Sequence, residues 1–466
     1  MSFTSRIKIE DLINNGSILV HKDGNHGAKY PRTEEFGELG VPFLTAKLLD
    51  NSGNIDLLKA PRLAKEKAQK FTFGFVQPED VLLSHNATVG RVAVMPQVDE
   101  PILIGTSLTH FRLDKSKILP TYLAAYFSGK DFQDQLAAVM SQTTRNQVPI
   151  TSQRKLYIEL PSIEIQAEIV KYIDSIDNKI RLNNKINQTL ESIAQAIFKS
   201  WFIDFDPVRA KIVAKQEGKD PELAAMCAIS GKSEVEIQQM SKDDFAELQA
   251  SAALFPDELV ETELGEVPKG WEYKKLKDLC RVINGRAYKN TEFKEEGIPI
   301  VRIQNLTGGG KTVFSDLDLP QDKLIEKEDF IYAWSATFGP YIWRGPKSIY
   351  HYHIWKMDVD ETIISRYFLY LTMFRKTESM KSSGTGSIFT HLTKAIMESQ
   401  DVLIADNAIN MLFKDRIDRI FKLISLKSDE INNLENIRDT LLPKLLSGEI
   451  DVSDLGSETE YEYSTK

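Results

Sequence analysis

Two stretches of the chain carry apolar residues at alternating steps of four and three. Ile169, Ile173, Ile176, Ile180, Asn183, Asn187, Leu190, Ala194 and Ile197 fall on one such stripe; Phe413, Ile417, Ile420, Ile424, Lys427, Ile431, Leu434, Arg438 and Leu441 repeat it 244 positions later. That spacing is the seam of a coiled coil and predicts two long helices. The first, from Ser162 to Phe198, would extend about 54 Å at 1.5 Å per residue, which suits a spacer better than a core helix. Both stripes are apolar at the ends and polar near the middle. Antiparallel packing would bury the Ile and Leu positions and bring Asn183, Asn187 and Lys427 together at the centre, where polar residues fix register at some cost in stability. The alternative is that both asparagines face solvent where the stripe drifts.

Outside these stripes the apolar runs are short, rich in Val, Ile, Phe and Tyr, and punctuated by Gly, Pro and Asn, which reads as strands with long loops. A few helices interrupt them, as around "PTYLAAYFSGKDFQDQLAAVM" (120–140). The strand-like text is also written twice. "EDVLLSHNATVG" (79–90) returns as "EDFIYAWSATFG" (328–339), with Glu, Asp, Ala, Thr and Gly in place and the polar middle changed. "IKIEDLI" (7–13) matches "KKLKDLC" (274–280), "VPFLTAKLL" (41–49) matches "IPIVRIQNL" (298–306), and "LESIAQAIF" (190–198) matches "LENIRDTLL" (434–442). Order is kept while the offset falls through 267, 257, 249 and 244, as an internal duplication with longer loops in its first copy requires.

The expected fold is therefore α+β, a pseudo-twofold internal repeat of two similar globular domains separated by two long antiparallel coiled-coil helices. The expected bounds are 1–158 for the first domain, 159–206 for the first long helix and 207–265 for an acidic helical connector. The second domain takes 266–401 and the second long helix 402–448, leaving an acidic tail, 449–466, expected to be disordered. In "WFIDFDPV" (201–208) Pro207 ends the first helix, and Trp201, Phe202 and Phe205 call for a pocket.

Charge qualifies this picture. The chain of 466 residues has a net charge of −9, an unpromising sign for a nucleic-acid binder. Residues 217–264 carry −9 and residues 447–466 carry −5, however, so the remainder is +5 and has room for a basic face. Cys227 and Cys280 stand far apart without metal-like spacing, which excludes a disulfide framework or a zinc cluster and fits a reducing cytoplasm. "MSFTSRIKIEDL" has charges where a signal peptide needs an apolar run, and no stretch approaches the ~20 apolar residues of a membrane span, so a soluble protein is expected.

Motifs for catalysis are weak. "TGGGKT" (307–312) imitates the end of a phosphate-binding loop, but position 305 is Asn where that loop needs Gly, and no apolar helix follows; a hairpin loop is the better reading. "SSGTGS" (382–387) has the wrong context for a dinucleotide or methyl-donor site. His351 and His353 would share one face of a strand, but a third metal ligand is missing. No carboxylate pair sits with a His, Ser or Cys in a catalytic arrangement.

What remains is recognition, because several loops are rich in residues able to bond base edges and phosphates. In the first domain these are Lys22, Asn25, His26, Lys29, Tyr30 and Arg32, then His85, Asn86, Thr88 and Arg91, then Thr143, Thr144, Arg145 and Asn146. In the second they are Arg286, Tyr288 and Lys289, then Arg302, Gln304 and Asn305, then Trp334, Ser335 and Thr337, and finally Ser383 and Thr385. Composition alone leaves open a coiled-coil scaffold with duplicated protein-binding domains, or a DNA methyltransferase or nuclease with an unrecognised site.

"KSWFIDFDPV" (199–208), "ELGEVPKGW" (263–271) and "LLPKLLSGEID" (441–451), in this order around a duplicated domain and helix, closely resemble the specificity subunits of type I restriction-modification systems. "DGNHGAKYPR" (23–32) with "GVPFLTA" (40–46) also resembles the entry to one class of that family's first recognition domain. The resemblance covers essentially the whole chain. It implies a non-catalytic subunit whose two target recognition domains each read one half of a bipartite, asymmetric site in double-stranded DNA. The helices would set the spacer and dock two methyltransferase subunits, through which restriction subunits join. It also implies no cofactor in this chain, with S-adenosylmethionine, ATP and Mg belonging to the partner subunits.

Overall fold

Val81–Ser84 is buried at every position, as a strand covered on both faces must be, and Leu108–Leu113 beside it is buried at all but one. These two form the middle of the first domain's main sheet. The computed structural model describes residues 5–24, 27–50, 53–140, 147–306, 312–335, 338–382, 392–447 and 449–450. It divides into two compact units, Met1–Asn183 with Glu430–Lys466, and Asn184–Asp429.

In the first unit the main sheet runs in the order Ile18–Asp23, Leu108–Leu113, Val81–Ser84, Val92–Val94, antiparallel throughout. A second sheet has the order Phe36–Gly37, Arg62–Leu63, Val41–Leu44, Ile102–Ile104, Phe75–Val76, and its pair Val41–Leu44 and Ile102–Ile104 is parallel. Ser5–Lys8 pairs with Tyr157–Leu160 and ties the two ends of the domain together. Helices Pro120–Ser128 and Lys130–Met140 meet at Gly129, where a Cβ would come within 2.9 Å of Leu442, so the break is also a close helix contact. Their buried residues Tyr122, Phe127, Phe132 and Leu136 join Val81 and Phe111 in one core, which Ile169, Ile173, Leu442 and Leu445 extend.

The second unit repeats the scheme. Its main sheet has the order Cys280–Asn284, Ile354–Val359, Phe330–Ala333, Gly339–Ile342. The second sheet has the order Val313–Ser315, Ile298–Val301, Ser348–Tyr350, Leu324–Ile325, again with one parallel pair, Ile298–Val301 with Ser348–Tyr350. Glu272–Lys275 pairs with Asp401–Ile404 as the closing strands. The fold is α+β, two similar domains accompanied by two long helices.

Those helices are Ile163–Phe202 and Asn407–Ser447. Within the first unit Lys179 pairs with Glu430 at 3.3 Å and Asp177 with Arg438 at 3.1 Å, while Ile169 and Ile173 share a core with Leu442 and Leu445. Within the second, Asn187 donates to Ser428 at 3.3 Å, and Phe198 packs on Phe413 with ring centroids 6.0 Å apart. Both sets of contacts run antiparallel. The stripe read from the sequence is the inner face: Ile169, Ile173, Ile180, Phe413, Ile417 and Ile424 are at most 3% exposed. Asn183 is 0% exposed, so it does not drift into solvent.

Several boundaries differ from the sequence reading. The first long helix starts at Ile163 because residues up to Leu160 belong to the closing strand, and Asp401–Ile404 is likewise strand, so the second helix begins at Asn407. The acidic segment is built of four short helices and a hairpin. Helices Asp206–Gln216, Pro221–Ser230, Glu234–Gln238 and Lys242–Ala253 enclose a small core of Ala225, Met226, Ile237, Leu248 and Ala252. A hairpin of Leu259–Thr262 and Gly265–Pro268 follows, permitted by Gly265 at φ 109°. The buried Lys211 ammonium fastens the helices by donating to Glu222 and to the Phe255 carbonyl, each at 2.8 Å. Trp201, Phe202 and Phe205 fill a core with Phe255, Trp271, Phe368 and Phe413. Residues 307–311 of "TGGGKT" and the tail 451–466 lie outside the described residues.

Candidate nucleic-acid interface

The residues that stay constant between the copies hold the frame. Glu79 and Glu328 both have φ 69°, at the turn that leads into the strand. The next residue in each copy, Asp80 or Asp329, accepts from the backbone N–H three positions before it, at Gln77 (2.9 Å) or Glu326 (2.7 Å). Each aspartate also takes cationic or imidazole donors from the neighbouring strand: Arg112 and His110 bond Asp80, and Lys356 bonds Asp329 at 2.7 Å. Burial opposes the charge on Asp80, but these hydrogen bonds outweigh it and hold the carboxyl below its ordinary range. The Glu-Asp pair repeats because it builds a turn and an ion pair, buried at Asp80 and half-buried at Asp329.

Beyond the strand, the copies share a second construction. Gly24 and Gly285 pass so close to a neighbouring turn that a Cβ would lie 2.2 Å from the Ile104 carbonyl oxygen or 2.3 Å from that of His351. The Gly24 N–H donates to Leu108 at 3.2 Å and that of Gly285 to Ile354 at 3.1 Å. The turn itself, 105–107 or 351–353, is held identically. Gly105 N–H donates to Leu44 (2.8 Å) as His351 does to Val301 (2.9 Å), and His85 N–H donates to Ser107 (3.0 Å) as Trp334 does to His353 (3.1 Å).

On this common backbone the side chains differ. In the first unit His85 is 6% exposed; its Nδ1 lies 2.8 Å from Thr109 Oγ1, which accepts from Gln153, whose Oε1 is 3.1 Å from His21 Nε2. This is an internal polar chain across the sheet, and burial pushes the His85 pKa down. At the matching positions of the second unit Trp334 stacks on Trp355, ring centroids 5.6 Å apart, and donates its indole N–H to the Tyr352 carbonyl at 2.8 Å. The altered middle of the repeated phrase therefore faces partly inward. His85 is a bracing residue, where the sequence reading has it contacting bases, and Trp334 has its only donor committed to the fold. Arg91 is corrected in the same way, since its guanidinium donates to the carbonyls of Ala46 (3.3 Å) and Leu49 (2.7 Å).

The other candidates fall into three groups. Lys22, Lys29 and Arg32 are exposed, with Arg32 4.0 Å from Glu34, whereas Tyr30 is half-buried with its ring edge-on to Phe43. Asn86 and Thr88 are half-buried in one tight turn, where the Thr88 N–H donates to the Asn86 carbonyl. In the second unit Arg286 lies over the Tyr288 ring at 5.0 Å and pairs with Glu292 at 2.6 Å, and the Lys289 N–H also donates to Glu292. Asn305 turns back to accept from the Arg302 N–H at 3.0 Å, Gln304 is exposed and Ser335 is half-buried. Asn25, His26, Thr143, Thr144, Arg145, Asn146, Thr337, Ser383 and Thr385 lie outside the described residues.

His351 and His353 do not sit on one face of a strand, as the alternation suggests. They flank Tyr352 in the turn between Ser348–Tyr350 and Ile354–Val359. The Tyr352 ring is 4.4 Å from that of His351 and 3.9 Å from that of His353, and Tyr288 stacks on His351 at 6.4 Å. Sequence reasoning weighed this stretch as a metal pair and favoured ordinary surface or core histidines. The signal it missed is that extending the echo sets "HYHIWKMDV" (351–359) against "GTSLTHFRL" (105–113), aromatic rings against small residues. Among the described residues no group of three or more His, Cys, Asp or Glu is arranged to hold a metal, and no helix is long and apolar enough to cross a membrane.

The family described as type I restriction modification DNA specificity domain matches residues 9–192 and 268–436, one match to each copy. The HindI type I restriction enzyme specificity subunit of Haemophilus influenzae is 33% identical over 389 residues, 78% of this chain and 84% of that protein. The MjaIX type I restriction enzyme specificity subunit of Methanocaldococcus jannaschii is 25% identical over 92% of this chain and 91% of its own length. Among solved structures, a type I restriction-modification S subunit from M. genitalium aligns with 95% of this chain and 96% of its own at 14% identity and a TM-score of 0.43.

Proposed function

Because the chain belongs to the type I restriction-modification specificity family and carries its DNA target recognition domain twice, we propose that each copy reads one half of a bipartite, asymmetric site in double-stranded DNA. The observation that carries this is the identical frame with unlike contents. Paired turns, glycines and hydrogen-bonded aspartates give both copies one backbone, so both can meet DNA in one manner, while Gly105-Thr106-Ser107 and His351-Tyr352-His353 offer it different chemistry. Asymmetry of the target follows from asymmetry of those surfaces.

The closing strands support bounds near Leu160 for the first reader and about Glu272 to Ile404 for the second, with the long helices as spacer. Of the loop residues, Lys22, Lys29, Arg32, Arg286, Lys289, Arg302 and Gln304 are the contacts this reading retains, the cations for phosphate and the guanidinium and amide groups for base edges. His85, Trp334 and Arg91 act by bracing them. Methyl transfer and cleavage belong to two methyltransferase subunits and the restriction subunits bound through them. S-adenosylmethionine, ATP and Mg serve those partners, in the cytoplasm. The partners' share of the phosphate contacts also reconciles DNA binding with a net charge of −9.

Selection from a randomised duplex pool tests this. The chain assembled with its methyltransferase partner should enrich two short fixed sequences separated by a constant unspecified gap. Enrichment of a single contiguous sequence, or of none, would refute it.

A further inference from the structure

We propose that the turn His351-Tyr352-His353 is a base-reading element of the second domain, contacting the edges of one or two base pairs in that domain's half-site. This rests on the reading that the domain binds DNA, and it names residues that loop composition passes over.

The turn is rigid and its side chains are available. Its backbone is fixed at both ends and the middle: His351 N–H donates to Val301, Tyr352 N–H to Arg286 and Ile354 N–H back to His351, at 2.9 to 3.0 Å. The Trp334 indole N–H holds the Tyr352 carbonyl at 2.8 Å, and Trp334 is itself stacked on Trp355. A side chain mounted so firmly loses little freedom on binding, which is what a selective contact needs. Tyr352 is nevertheless 40% exposed, with both imidazoles packed beside it. Neither imidazole nor the Tyr352 hydroxyl has a hydrogen-bond partner among the described residues.

The chemistry suits base edges better than phosphate. Burial, helped by His353 and Arg302, lowers the His351 pKa, and burial lowers that of His353, which favours the neutral form of both rings. A neutral imidazole offers one donor and one acceptor, and a base pair in the major groove presents a pattern of both; a phosphate presents acceptors only. The flat Tyr352 ring adds an apolar surface of the kind that meets a thymine methyl group. Arg286, whose guanidinium is paired with Glu292, is tied to the turn through its amide and carbonyl, which bond Tyr350 and Tyr352.

The equivalent turn in the first unit shows that the frame tolerates exchange. Gly105-Thr106-Ser107 keeps the matching bonds of Gly105 N–H to Leu44 and Leu108 N–H to Gly105, and Ser107 Oγ turns inward to accept from the Ala46 N–H at 2.9 Å. The two domains thus differ at one structurally matched position by three side chains that can reach outward.

The test uses the chain assembled with its methyltransferase partner and enrichment from a randomised duplex pool, comparing the native sequence with Tyr352→Ala, with the double variant His351→Ala and His353→Ala, and with the graft H351G/Y352T/H353S. The first half-site should be unchanged in all. At one or two positions of the second, discrimination should fall about tenfold to a hundredfold. Tyr352→Ala keeps the result readable if the graft fails to fold, because the Tyr352 side chain is exposed and its bracing contact is through the backbone. An unaltered second half-site, or an equal loss at both half-sites, would overturn the assignment. Failure of the native assembly to enrich any bipartite site would instead remove the underlying reading of function.

Discussion

His21 lies against Phe111, ring centroids 4.7 Å apart, with Nε2–H directed at Gln153 and a buried Nδ1 that has no partner among the described residues. Burial dominates there and pushes its pKa down to about 4 from an ordinary 6.5, against the favourable Gln153 contact. Above 6.5 the ring is neutral in both folded and unfolded chains. Between 6.5 and about 4 the unfolded chain takes up the proton and the folded one does not, so stability falls with pH across that window. At 1.36 kcal/mol per unit the loss is about 2 kcal/mol by pH 5. His21→Gln has no such proton, so urea unfolding of the variant should lose about 2 kcal/mol less than the native chain between pH 7 and 5; parallel pH profiles would contradict the assignment. Residues of this kind show why the site was only partly legible. Asp80 and Asp329 declare themselves by recurring, but "SHN" and "AWS" look alike as loop text whether they face water or the sheet. His85 pairs with Thr109, 24 positions away, and Trp334 with Tyr352, 18 away. Composition does not register such pairings.

At the scale of elements, the long helices were legible because a four-three stripe is a local property of the chain, unaffected by what packs against it. The parallel pairs, Val41–Leu44 with Ile102–Ile104 and Ile298–Val301 with Ser348–Tyr350, join segments about 50 to 60 residues apart, and no local pattern announces them. The hairpin at 259–268 was hidden by its acidic residues, although Val260, Thr262 and the turn glycine at 265 carry its signal. The helix stripe itself makes a testable claim at Asn183. Its amide is fully buried and neither Nδ2 nor Oδ1 has a partner among the described residues, a condition that costs about 1 to 3 kcal/mol. Asn183→Leu should therefore raise stability to chemical denaturation by about that amount, while weakening the polar device that sets register. A loss of stability would mean that the amide is satisfied in solution.

For the whole molecule, the consequence of the proposal is metric. Helices of 40 and 41 residues recur as a pair, and on the proposed reading their length sets the gap between the two half-sites. Seven added residues amount to nearly two turns, so an insertion of that length rotates the stripe by only about 20° and leaves the inner face inward. It also adds about 10 Å of rise. DNA advances about 34 Å in ten base pairs, so 10 Å corresponds to about three base pairs. Seven residues inserted into both helices at matched levels, between Asn183 and Asn187 in the first and beside Ser428 in the second, should lengthen the unspecified gap by about three base pairs. Both half-sites should read as before, because the Glu-Asp turns and the 105–107 and 351–353 turns are untouched. The same insertion in one helix alone sets the apolar stripes out of step beyond the insertion, and it should lower stability without yielding a new constant gap. Enrichment sequencing of the two assemblies distinguishes these results, and a gap that stays fixed under the paired insertion would show that the helices do not set the spacing.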